Sequence, residues 1–196
     1  MASVNSYTRG MPTPDRTSLD EIVLAARDLL ETEGLSGVTM QAVAQRVGVR
    51  APSLYKRVPS RDALIQLVAE STLAELTDRL GDGTDVRELA TTMRTFSRER
   101  PAAFQLVMTP GAGTPVAPRD SGAAASEPIL RAAAALAGED RALDAARTLT
   151  AWATGFISME LNGGFNLGGD VDEAWDFGIA TIVRALATGP GVASPT

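Results

Sequence analysis

The chain contains no cysteine and no histidine. The first absence excludes disulfides and thiolate nucleophiles, the second excludes imidazole bases and Ser-His-Asp triads, and together they exclude Cys/His zinc sites. Long hydrophobic runs are missing as well. No stretch approaches the ~18 uninterrupted apolar residues of a membrane span, and the opening MASVNSYTRGMPTPDRT has no apolar middle of the kind a secretory signal needs. The expected location is therefore the cytoplasm, with no membrane partner. Period-2 alternation of β-branched residues is absent, which leaves an all-α reading. The Gly-rich NGGFNLGGD follows no strand, so it reads as a turn and not a phosphate cradle. Asp170, Asp172, Glu173 and Asp176 sit at a helix start, where the dipole already favours negative charge. Neither a metal nor a cofactor is assigned.

What is present is unevenly spread. The formal net charge is -6, and all of the excess acid lies C-terminal: residues 1–70 hold eight basic and eight acidic side chains, the remainder ten and sixteen. Within 46–62, Arg46, Arg50, Lys56, Arg57 and Arg61 face only Asp62. A basic patch on an acidic chain is the electrostatic footprint of a localised nucleic-acid contact.

Apolar spacing predicts about nine helices. The first opens on the capping box Ser18-x-x-Glu21 and ends at Gly34, and the second starts from Thr39 and closes at Gly48. The third spans 51–58, with Pro52 in its first turn, and Pro59 stops it before Ser60 caps a long fourth helix to about residue 80. Further helices are expected over 86–99, 101–109, 126–138, 140–163 and 172–188, with 110–124 a surface loop. The domain plan is a flexible tail over 1–17, a head over 18–65, a body over 66–189 and a second flexible tail over 190–196.

Two helices joined by a tight turn at Gly48 form a helix-turn-helix, whose second helix enters the major groove. Arg50, Ser53, Tyr55, Lys56 and Arg57 supply cationic and hydroxyl donors for phosphates and base edges, and Leu54 is the apolar anchor. Tyr55 also fits an amphipathic core position, and Arg61 also fits a pair with Asp62. The stretch GVTMQAVAQRVGVRAPSLYKRVPSRDAL, Gly37 to Leu64, resembles the DNA-binding domain of the TetR family of transcriptional regulators. The resemblance implies phosphate contacts from Thr39, Tyr55 and Arg61, and base-proximal positions at Gln41, Ala51, Pro52, Ser53 and Arg57. Many members have His-Phe where Arg57-Val58 stands and Lys where Arg61 stands; the additional Arg57 either reads guanine or adds phosphate affinity.

A second stretch, RTLTAWATGFISMELNGGFNLGGDVDEAWDFGI, Arg147 to Ile179, is similar to a WHG-type C-terminal domain of the same family. Thr154 stands where those relatives often have His, so any role of that His does not transfer. The resemblance implies a homodimer sealed by the last two helices as a four-helix bundle, with Gly155, Trp175, Ile179, Ile182, Val183 and Leu186 at the seam. Gly155 inside a helix costs on the order of 1 kcal/mol relative to Ala, which suits a close helix approach. The apolar stripe equally suits the subunit's own core. Met93, Phe96, Phe104, Met108, Trp152, Phe156 and Met159 suit the lining of an effector cavity and equally suit a filled core; the family favours the cavity, and spacing alone favours the core. Glu160 is expected to be solvated near its helix end.

The resulting expectation is a non-enzymatic, cytoplasmic repressor, at the nucleoid when bound to double-stranded operator DNA, that responds to an apolar small molecule. Two rivals stand beside it: a helical enzyme using Glu or Asp as acid or base, and a DNA-binding dimer without an effector. A cavity in the body weighs against the second rival.

Overall fold

A computed structural model of the protein describes residues 18–188, and every regular element among them is helical. α1 (Leu19–Gly37) begins with the capping box foreseen from its sequence: the Glu21 amide donates to Ser18 Oγ at 3.1 Å and the Ser18 amide to Glu21 Oε2 at 2.8 Å. Gly34, at φ +70°, interrupts the helix, and a final turn carries the chain to Val38. α2 (Met40–Arg46) starts from Thr39, whose hydroxyl accepts from the Ala42 amide at 3.1 Å. α3 (Ala51–Tyr55) is shorter than its pattern suggested. Lys56 and Arg57 lie in the turn that follows it, closed by the Val58 amide on the Leu54 carbonyl at 3.0 Å.

α4 (Arg61–Leu80) is capped by Ser60, its hydroxyl accepting from Ala63, and runs out of the head into the body. Its first turns bury Leu64, Ile65 and Val68 in one cluster with Ile22, Leu29, Val43, Leu54 and Val58. Its later turns meet α5 (Val86–Glu99), α6 (Pro101–Met108) and α7 (Arg119–Ala137). A single turn of 3-10 helix (Glu139–Arg141) leads into α8 (Ala142–Leu161), which packs along α7, and α9 (Val171–Thr188) lies across α5, α7 and α8.

α7 departs from expectation by starting seven residues earlier than 126. Pro128 invites a first-turn reading, since a proline there loses no hydrogen bond. In the structure it sits buried in the third turn. Ala123, Ala124 and Ala125, the best helix formers, carry the helix upstream of it, and packing against α4 and α8 offsets the bond that proline cannot make. The two predicted flexible tails lie outside the described residues.

Two ties join head to body. The Glu31 carboxylate accepts from the Ala102 and Ala103 amides, both at 3.0 Å, so a side chain of α1 caps the N-terminus of α6. Arg27 of α1 pairs with Glu75 of α4 and donates to Ser71 Oγ at 3.1 Å. Burial, with Arg100 next in effect, lowers the Arg27 pKa, so it is these acceptors that make the charged form tolerable there. No helix among the described residues is long and apolar enough to cross a membrane.

Candidate nucleic-acid interface and ligand cavity

The turn between α2 and α3 depends on one residue. Gly48 takes φ +72°, a left-handed conformation that a Cβ disfavours, and there its amide donates to Gln45 while Val49 donates to Ala44 at 2.9 Å. This folds α3 back across α2, and Leu54 locks the pair by inserting into the head core with 1% of its surface exposed. The opposite side of the unit is polar. Gln41, Arg50, Pro52, Ser53, Tyr55, Lys56 and Arg57 are exposed on it, with Thr39 and Ala51 half-buried at its edge. Tyr55, 51% exposed, is not part of the core.

Arg61 behaves differently from the rest. Its Nε donates to the Val38 carbonyl at 2.7 Å and a terminal nitrogen to the Leu35 carbonyl at 2.6 Å, so the guanidinium turns inward and fastens the start of α4 to the end of α1. These two backbone acceptors, rather than Asp62, hold the guanidinium to which the resemblance gives a phosphate contact.

Between α4, α5, α6, α7 and α8 lies a cavity of about 310 Å³. Met93 and Met108 line it as expected; the other five predicted lining residues do not. Phe96 and Phe104 are fully buried in packed core. Trp152 and Phe156 join Phe165 and Trp175 in an aromatic cluster with ring centroids 4.6 to 5.6 Å apart. Met159 faces outward. The wall consists instead of Ala69, Leu73, Leu76 and Leu80 of α4, Val86, Leu89 and Ala90 of α5, Leu106 and Val107 of α6, Gly122, Ala125, Ser126 and Ile129 of α7, Leu149, Thr150 and Ala153 of α8, and Val116, Ala117 and Ile179. Alanines and one glycine create the space. A search for large residues passes over positions whose shortness makes the void.

Beside the aromatic cluster, Arg94 is 6% exposed and holds Glu160 in a bidentate pair at 2.9 and 2.7 Å, with its guanidinium 4.9 Å from the Trp175 ring centre and 5.6 Å from that of Phe156. Arg98 bridges Glu160 at 2.7 Å and Asp172 at 2.8 Å. The Arg94 hydrogen bond, opposed by burial and reinforced by Arg98, holds the Glu160 carboxyl below the usual carboxylate range. Glu160 thus ties α8 to α5, and the same two arginines reach Asp172 of α9, so Glu160 is not the solvated residue its position suggested.

Trp175 and Ile179 also shift role, since both are buried in the subunit's own core. Ile182, Val183 and Leu186 are half-buried against that core. Gly155 is exposed, and a Cβ there would meet nothing within 4 Å, so no contact inside the subunit requires a glycine. The close approach within the subunit belongs to Gly178, where a Cβ would fall 2.3 Å from Trp152 Cζ2. Met159 of α8 and Phe177 of α9 are exposed, as are Phe165 and Leu167 on the loop that connects the two helices.

A helix-turn-helix head joined through a continuous helix to a larger helical body defines a DNA-binding transcriptional regulator. The chain matches the family of bacterial regulatory proteins called tetR over residues 15–68 and the tetracyclin repressor-like C-terminal domain over residues 86–182. It belongs to the TetR family of transcriptional regulators. Over 60 residues it is 37% identical to the class E tetracycline repressor protein of Escherichia coli, a match covering 31% of this chain and 28% of that repressor. Among solved structures it resembles the transcriptional regulator SCO7222, a TetR from Streptomyces coelicolor, with TM-score 0.69 and 18% identity over 88% of this chain and 98% of that one. It also resembles the TetR family protein ActR of Streptomyces coelicolor in complex with (S)-DNPA, with TM-score 0.65 and 19% identity over 89% and 99% of the two chains. At these identities the structural likeness shows the fold.

Proposed function

We propose that the protein is a homodimeric repressor that binds a palindromic operator and is released from it by an uncharged, largely apolar effector. The observation that carries this reading is that one helix, α4, anchors the recognition unit at its first turns and walls the cavity at its later ones. α6 supports it, because Glu31 of the head holds its N-terminus while Leu106, Val107 and Met108 at its other end line the cavity. A ligand shifts the equilibrium only through different affinity for the DNA-competent and released arrangements. Helices that form part of both sites give it the means.

The DNA-contacting group is Thr39, Gln41, Arg50, Ala51, Pro52, Ser53, Tyr55, Lys56 and Arg57. Two such faces, related by a dimer two-fold, would enter successive major grooves about 34 Å apart. The dimer seam is the open face of α8 and α9 around Gly155, Met159 and Phe177, an apolar surface that a second subunit would cover. The cavity weighs against a DNA-binding dimer without an effector, because native interiors are otherwise close-packed.

The test is a titration of the purified chain against DNA flanking its own coding region at several salt concentrations, with the mass of the complex measured by sedimentation. Binding of a dimer that prefers this DNA over random sequence and weakens steeply with salt supports the reading. A monomer, or equal affinity for random DNA, overturns it.

A further inference from the structure

Three hydroxyls recur at four-residue spacing along one stripe of α8: Thr150, Thr154 and Ser158. Thr150 lines the cavity and makes no side-chain hydrogen bond among the described residues. Thr154 Oγ1 and Ser158 Oγ, one and two turns further along, are buried without a partner but do not line the cavity. Other hydroxyls on these helices behave in the ordinary way, Thr148 donating to the Asp144 carbonyl at 2.8 Å and Ser126 to that of Gly122 at 2.9 Å. Ser126 is the other hydroxyl on the cavity wall, and its proton is already placed. No ionisable side chain lines the cavity.

Thr150 thus carries the one hydroxyl on the cavity wall, among the described residues, whose hydrogen-bonding capacity is unused, and an unused polar group on an apolar wall calls for a physical account. A charge carried into this cavity would find no counter-ion. A plain hydrocarbon would fit the wall and leave the Thr150 hydroxyl as it is. We propose that the effector is an uncharged molecule with an apolar body and one hydrogen-bonding edge, a carbonyl, hydroxyl or ether, and that this edge lies on Thr150. The inference rests on the cavity being the effector site, and it assigns Thr150 as the residue that selects for the polar edge.

Three probes of one scaffold test it by calorimetric titration of the full chain: naphthalene, 2-acetylnaphthalene and 2-naphthoate. The ketone is expected to bind about threefold to tenfold more tightly than the hydrocarbon, the net effect of one hydrogen bond, and the carboxylate more weakly than either. In Thr150→Val the ketone should fall to the affinity of the hydrocarbon, with naphthalene itself unaffected. Thr150→Ser, which keeps the hydroxyl, should retain the ketone preference; loss of the preference in this variant as well overturns the inference. Equal affinities for ketone and hydrocarbon, or a ketone preference that survives Thr150→Val, overturn the polar edge and leave the cavity as the effector site. Tightest binding by 2-naphthoate overturns the requirement for neutrality. If no probe binds while operator binding is intact, the cavity reading fails and the inference with it.

Discussion

In the head, Ile22, Val43, Leu54 and Val58 meet with essentially no exposure and α1 to α3 close around them. In the body, the helices leave a void of about 310 Å³ whose wall includes Ala69, Ala90, Ala125 and Ala153. The difference lies in side-chain length and not in hydrophobicity. A filled core fixes one geometry, which suits a surface that must fit a groove; an unfilled one leaves room for a second molecule to contribute to the packing.

The contrast is broken most directly by truncation. Leu54→Ala should cost about 2–5 kcal/mol, the range for a fully buried leucine, and abolish DNA binding, whereas Met93→Ala on the cavity wall should cost less than half as much. Chemical denaturation measures both. Equal losses would mean that the cavity wall is as tightly packed as the head. Enlargement sharpens the comparison. Ala44→Leu, in the filled core, should destabilise by about 1–3 kcal/mol, while Ala125→Leu should leave stability unchanged or raised and abolish the response to effector. A comparable loss at Ala125 would show that the space is not available to a side chain.

Smaller effects concern the charged groups. Glu160 has a pKa lowered by Arg94, so its contribution is complete above the unfolded-state carboxylate pKa of about 4.3 and is lost as pH falls through the folded-state value. The stability gap between the wild type and Glu160→Gln should therefore be constant near neutrality and close below about pH 4.3. A gap that widens in acid would contradict the assignment. Smallest is Tyr55→Phe, expected to weaken operator binding by about twofold to tenfold, as for one hydrogen bond, with an unchanged melting temperature because the ring is exposed. Unaltered affinity in an anisotropy titration would remove Tyr55 from the phosphate contacts.

Signals carried within a few residues were legible in the sequence: the Ser18 and Glu21 box, the caps at Thr39 and Ser60, and Gly48 at the turn. What the sequence did not disclose depends on partners far along the chain. Arg61 finds its acceptors 23 and 26 residues away, and Glu160 finds Arg94 at a separation of 66. No local pattern distinguishes such a residue from a solvated charge. Most of the cavity wall escaped for another reason. It is made by what Ala, Gly and Ser lack, and small residues on helix faces are also how tightly packed helices approach one another. Gly155 and Gly178 illustrate the ambiguity: within the subunit Gly155 stands open, while Gly178 lies against Trp152.

The length of α4 has a consequence for scale. Its 20 residues make a rod about 30 Å long. A rotation of about 5° around its far end moves the other end by about 2.6 Å, a tangent of that length. In a two-fold dimer both rods would turn, so the distance between the two reading heads would change by up to twice that displacement against a groove repeat of about 34 Å. A ligand the size of two or three fused rings, wedged among side chains near one end of the rod, would have to deform its surroundings by only a fraction of its own width to put the heads out of step with the double helix.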